Sequence, residues 1–115
     1  MQDHLQLNVQ HDPRAVVLSI GGELDLASSP MLDQELTRVT ATEPELLVLD
    51  LRELAFMDST GLSVLVRAHH HAEEAGRRMV LVRGGPQVQR LLTLTGLADR
   101  LPIVDSVEES YRDGR

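Results

Sequence analysis

A chain of 115 residues with no cysteine, no lysine and a formal charge of −7 excludes several chemistries before any motif is read. Disulfides, thiolate nucleophiles and cysteine-bound zinc need residues it lacks, as do Schiff bases and the phosphate-gripping lysine of a P-loop. The acidic balance opposes nucleic-acid binding, which needs cations to neutralise phosphates, and one Phe, one Tyr and no Trp leave little on which to stack bases.

No apolar run approaches the ~20 residues of a membrane span. The polar start "MQDHLQLNVQH" lacks the basic-then-apolar order of a secretory signal. One acidic domain of ordinary size is expected, cytoplasmic, with neither membrane nor nucleic acid among its partners.

In chain order, "LQLNVQ" alternates apolar and polar like a half-buried strand, and "HDPRA" is turn chemistry. "VVLSIGGEL" completes a predicted hairpin. The period then changes in "SSPMLDQELTRVTAT", where Ser29 is the expected N-cap, Pro30 suits the first helical position, and Leu32, Leu36 and Val39 line one face. "LLVLDL" is a nearly continuous β-friendly apolar run, typical of a central strand covered on both faces. From Ser59 a helical stripe returns at Leu62, Leu65, Val66, His69 and Ala72, with Gly76 as its stop. "RMVLV" is a strand, "GGPQVQRLLTLTG" a helix from Pro86 to before Gly96, "PIV" a short strand and "SVEESYRD" a last amphipathic turn or two. The alternation predicts an α/β fold: a mixed, mostly parallel sheet of about four or five strands flanked by about four helices, with a core from about Leu5 to Tyr111.

On this map "AFMDSTGLSVLV" is a strand-to-helix junction. Its polar centre falls at a helix N-terminus, on the end of the domain where parallel strands finish. Asp58 is expected to cap the helix by accepting from the amide of Thr60 or Gly61. Ser59 then becomes the first helical residue, its hydroxyl facing solvent, and Gly61 lets another backbone approach closely. Capping alone accounts for such a cluster in many helices. The functional alternative is a displayed hydroxyl where a phosphate, adding about −1.5 to −2 charges, is tolerated by the helix end. Inside a protein interface the same dianion beside Asp58 and Asp25 would be repelled. Catalytic patterns fit poorly: Thr60 interrupts an Asp-Ser-Gly order, a nucleophile elbow needs glycines elsewhere, and the histidines lie elsewhere than this motif. No enzyme and no cofactor are expected.

The blocks "GGELDLASSP", "LLVLDLRELAFMDSTGLSVLV", "GRRMVLV" and "QRLLTLTGLADRLPIVDS" resemble, in order and spacing, the STAS domain of bacterial anti-sigma factor antagonists. The resemblance spans nearly the whole chain after the first strand and implies a single STAS domain over residues 1–115. It also implies partner switching. Such an antagonist binds an anti-sigma factor that is itself a GHKL-type serine kinase, freeing a sigma factor for transcription, often in a stress response. Phosphorylation of the motif serine, here Ser59 with Thr60 as a minor alternative, releases the kinase, and a serine phosphatase resets the phosphoprotein. The implied docking face comprises Gly22, Glu23, Asp25 and Ser28 from one loop, and Asp58, Ser59, Thr60, Gly61 and Leu62 from the helix start. A monomer or weak dimer fits relatives of this kind. Alternatives are a STAS module in a stress-sensing or lipid-transport complex, or a small-ligand or nucleotide sensor.

Three other features are read as structural. His69, His70 and His71 point about 100° apart on a helix and cannot converge on one metal ion. Gly21-Gly22 is expected to mark a bulge or strand end. Gly84-Gly85 lacks the spacing of a nucleotide fingerprint.

Overall fold

The structure, a computed structural model, describes residues 4–112. Residues 1–3, part of the polar start, and Asp113, the end of the last predicted helix, lie outside the described residues. β1 (Leu5–His11) and β2 (Ala15–Leu24) pair antiparallel, Leu5 facing Gly22 and His11 facing Val16. The turn between them is closed by the Asp12 amide donating to the Ala15 carbonyl at 2.8 Å. β3 (Leu46–Asp50), β4 (Leu54–Met57), β5 (Arg78–Val82) and β6 (Ile103–Val104) then join in parallel. The order is β1-β2-β3-β5-β6, with β4 also on β2. The mixed, mostly parallel sheet expected from the alternation is present.

Among the described residues it has six strands rather than four or five, and the difference lies in the stretch leading to Asp58. "LLVLDLRELAFM" breaks at Asp50, whose Oδ1 accepts the Arg52 amide at 3.1 Å, and the Leu54 amide closes the turn on the Leu51 carbonyl at 3.1 Å. β4 then resumes on the same edge of β2, past a register shift between Gly22 and Glu23. That shift is the irregularity predicted for the glycine pair. Gly22 sits there at φ +88°, a conformation L side chains rarely adopt.

Side chains alternate across the sheet. Val16, Leu18, Ile20, Leu47, Leu49, Met79 and Leu81 belong to a large core shared with helices α1 (Ser29–Thr40), α2 (Ser59–Glu74) and α3 (Pro86–Leu94). Val17, Leu46, Val48, Val80 and Val82 form a smaller core, closed by Val107 of α4 (Val107–Arg112). Every residue of β3 is buried, as a strand covered on both faces requires. The α2 stripe buries Leu62, Leu65 and Ala72 as expected, and Val64 in addition. α2 ends with Gly76 at φ +71°, and the Arg77 amide returns to the Ala72 carbonyl at 2.8 Å, a left-handed glycine stop. Among the described residues no helix is long and apolar enough to cross a membrane.

The α1 cap differs from expectation. Ser29 is itself helical and buried, its hydroxyl donating to the Asp25 carbonyl at 2.6 Å; Ser28 holds the cap position without a side-chain bond to the helix. The Ser28 hydroxyl is occupied in closing the loop before α1.

Asp50 is only 7% exposed. Besides the amide, it takes Arg52 Nε on Oδ1 at 3.0 Å and Arg52 Nη2 on Oδ2 at 2.8 Å. Burial pushes this carboxyl up, but the Arg52 hydrogen bonds and charge together outweigh it and hold the group below its usual 3.8. A carboxyl depressed in the folded state adds stability above its unfolded value, and that stability is lost as pH falls through the folded value. Asp50→Asn is therefore expected to cost about 1–3 kcal/mol at neutral pH. It should also flatten the loss of stability below pH ~4, as urea titrations at several pH values will measure.

Candidate functional site

β4 delivers the motif to the C-terminal end of the parallel strands. Met57 pairs with Leu24, and the Asp58 amide donates to the Leu24 carbonyl at 3.1 Å. Asp58 is extended, at φ −104° and ψ −175°. Its Oδ1 accepts both the Thr60 amide at 2.9 Å and the Gly61 amide at 3.0 Å, satisfying two of the donors a helix start leaves free. Both amides named from the sequence donate to it.

That cap exposes Ser59, leaves Thr60 half-buried and turns Gly61 and Leu62 inward. A Cβ on Gly61 would stand 2.5 Å from Leu24 Cγ and 3.0 Å from the Leu24 carbonyl oxygen. Glycine is what lets α2 rest on the end of β2. Gly61 and Leu62, assigned to the docking face by the resemblance, are both buried in the isolated chain and shape that surface from beneath. Gly22 is half-buried. A Cβ there would meet the His4 carbonyl oxygen at 2.0 Å, and its place is in the hairpin.

The loop after β2 is knitted by two residues from the same set. The Ser28 amide donates to Asp25 Oδ1 at 3.0 Å, and the Asp25 amide donates to Ser28 Oγ at 3.0 Å. The Ser28 hydroxyl proton faces the Glu23 carbonyl at 2.9 Å and Asp25 Oδ1 at 3.1 Å. The Ser28 amide bond, opposed by slight desolvation, holds the Asp25 carboxyl below its ordinary value. Glu23 is exposed, with His4 Nδ1 at 3.6 Å from its carboxylate. Loop and helix start meet at an open groove of about 520 Å³ between α1 and α2, lined by Leu26, Pro30, Asp33, Ser59, Thr60 and Arg67 among others. Arg67 and Asp33 approach across it to 3.7 Å, both more than half exposed, a pair worth little to stability.

One side chain on this face escaped the sequence reading. Leu26 is 73% exposed, an apolar group lining the same groove as the displayed hydroxyl. The available signal was a leucine between Asp25 and Ala27-Ser28 in a segment with no periodicity to bury it. The histidines sit apart from this region: His69 is half-buried on the α2 stripe, while His70 and His71 are exposed. Among the described residues no three His, Asp or Glu side chains gather to hold a metal.

The cap can be tested alone. Asp58→Ala is expected to lower stability by about 1 kcal/mol, with faster amide hydrogen exchange at Thr60 and Gly61 and unchanged exchange in β5.

A family model described as the STAS domain matches residues 6–110. An anti-sigma F factor antagonist from Paenibacillus polymyxa is 32% identical over 104 residues, covering 90% of this chain and 89% of the relative. The crystal structure of an anti-sigma factor antagonist from Mycobacterium paratuberculosis superposes with a TM-score of 0.84 at 28% identity, over 96% of this chain and 94% of that one. The Bacillus cell fate determinant SpoIIAA, solved in its phosphorylated form, shares the fold at a TM-score of 0.70 and 20% identity, over 96% of this chain and 99% of that one. Matched from its first strand to its last helix, the chain belongs to the STAS domain family.

Proposed function

We propose that this chain is an anti-sigma factor antagonist that acts by binding rather than catalysis, and that phosphorylation of Ser59 turns it off. The observation that carries the proposal is an exposed hydroxyl on a helix start whose cap is already complete. Asp58 occupies the Thr60 and Gly61 amides, so a phosphate on Ser59 projects outward and leaves the cap in place. The fold then survives modification while the face does not. A dianion would sit near the Asp58 and Asp25 carboxylates and Leu26, where an anti-sigma partner has to desolvate it.

Names of relatives support the class of partner: an antagonist of an anti-sigma F factor implies that factor as its target. The finer reading follows the resemblance: a GHKL-type serine kinase as anti-sigma factor, a serine phosphatase that resets Ser59, and a cytoplasmic monomer or weak dimer. One STAS unit with a core from about Leu5 to Tyr111 makes up the working domain. Glu23, Asp25, Ser28, Asp58 and Thr60 surround or support the contact.

Intact mass after incubation with purified anti-sigma kinases and Mg-ATP is the direct test. Wild type is expected to gain about 80 Da, one phosphate, and Ser59→Ala to gain nothing. A gain on both variants moves the acceptor, with Thr60 the next candidate; no gain on either overturns the switch.

A further inference from the structure

β4 has two edges, and only one is taken by β2. On the other, the Met57 amide donates to Gln87 Oε1 at 2.9 Å, and Gln87 Nε2 donates to the Met57 carbonyl at 3.0 Å. One planar side-chain amide thus serves both main-chain groups of a single residue, as a neighbouring strand would. Glutamine can do this because it carries an acceptor and two donors on one rigid group. The reversed orientation would set NH₂ against N–H and is excluded by the pairing itself.

The helix bearing Gln87 is seated for the task. A Cβ on Gly84 would lie 2.9 Å from the Leu51 carbonyl oxygen and 3.2 Å from Val88 Cγ1, so the start of α3 rests directly on the end of β3. Val88 is fully buried beside Gln87. Met57, whose side chain is 0% exposed, is therefore held by the core, by β2 and by α3. The next residue is Asp58, its amide on Leu24 and its carboxylate on the helix start. The chain from Met57 to Gly61 has its main-chain or cap groups tied on either side of Ser59.

We propose that Gln87 is a positioning residue of the Ser59 switch: its amide fixes Met57, and through Asp58 fixes the direction in which the Ser59 hydroxyl is presented to a kinase. This rests on Ser59 being the phosphoacceptor. A kinase needs its acceptor oxygen in line with the transferred phosphoryl group, and a displacement of ~1 Å from remote loosening can cost up to 10²-fold in rate.

The test compares wild type, Gln87→Met, which keeps the length and loses both bonds, and Gln87→Glu, which keeps the acceptor for the Met57 amide. Val39→Ala, in the buried end of α1 away from β4, serves as a destabilised control. Two readouts are taken well below the melting temperature: amide exchange at Met57, Thr60 and Gly61, and kcat/KM for phosphorylation by the kinase that modifies wild type. The expected result for Gln87→Met is faster exchange at all three amides and a roughly tenfold lower kcat/KM. Gln87→Glu should fall between it and wild type, and Val39→Ala should keep the wild-type rate. Exchange altered at Met57 alone, or Gln87→Met phosphorylated as fast as wild type, overturns the positioning role. If no kinase modifies wild type, the phosphoacceptor reading falls, and the exchange data alone decide whether Gln87 orders the segment.

Discussion

Ser59→Glu is expected to weaken binding to the anti-sigma partner by 100-fold or more while leaving the melting temperature of the isolated chain unchanged or slightly raised. The two halves follow from the same geometry. A carboxylate at the first helical position is favoured by the helix dipole, by about 0.3–1 kcal/mol, and the Asp58 cap does not depend on the Ser59 hydroxyl. Within an interface the added charge joins Asp58 and Asp25 on one small face. Like charges brought together there cost several kcal/mol, and about 1.4 kcal/mol already accounts for each tenfold in affinity. Ser59→Ala removes the acceptor but adds no charge, so it should bind within a few-fold of wild type. Calorimetric titration of the three proteins against the partner, with a thermal melt of each, reads both halves. Equal binding by Ser59→Glu and wild type rejects a charge-based switch.

Gly22→Ala should be among the most destabilising single-methyl changes in the chain, at about 2–5 kcal/mol, the sum of two costs. Forcing a side chain into the left-handed region costs roughly 1–2 kcal/mol, and Gly22 stands at φ +88°. The added Cβ would also sit 2.0 Å from the His4 carbonyl oxygen, the same oxygen that accepts the Glu23 amide at 2.7 Å. Main chain cannot rotate away as a side chain does, so the β1–β2 pairing must open, in the range of overpacking penalties of ~1–3 kcal/mol. Gly96→Ala is the matched comparison. Its φ is +79°, yet nothing lies within 4 Å of its Cβ, so it should show the conformational cost alone. Urea denaturation of both variants separates the terms; equal losses would mean that the His4 contact yields without cost.

The fold was legible because its signals are local and strong. The all-buried β3, the α2 stripe and the stops at Gly76 and Gly96 each depend on side chains within a few residues. The Asp58 cap was legible for the same reason, since its acceptor and donors lie two and three positions apart. What escaped depends on bonds made within loops or on distance along the chain. β4 exists because the Asp50–Arg52 bonds turn the chain after β3, and because the bulge at Gly22 opens a place for it on β2. The shift of the α1 cap from Ser29 to Ser28 follows from a loop closed by Asp25. Gln87 meets Met57 across thirty positions, and nothing in "PQVQRLL" distinguishes that glutamine from a solvated one.

The sheet also gives the domain two poles. The turn between β1 and β2 precedes the parallel run of β2, whereas Ser59 follows the end of β4, so the turn and the switch lie at opposite ends of the same strands. Arg14, in that turn, has a side chain 82% exposed, and the chain contains no cysteine. A single thiol introduced as Arg14→Cys would therefore take a fluorophore at one defined point, remote from the modified face. Anisotropy of that label would follow capture and release of a partner in real time, with wild-type chemistry intact at Ser59.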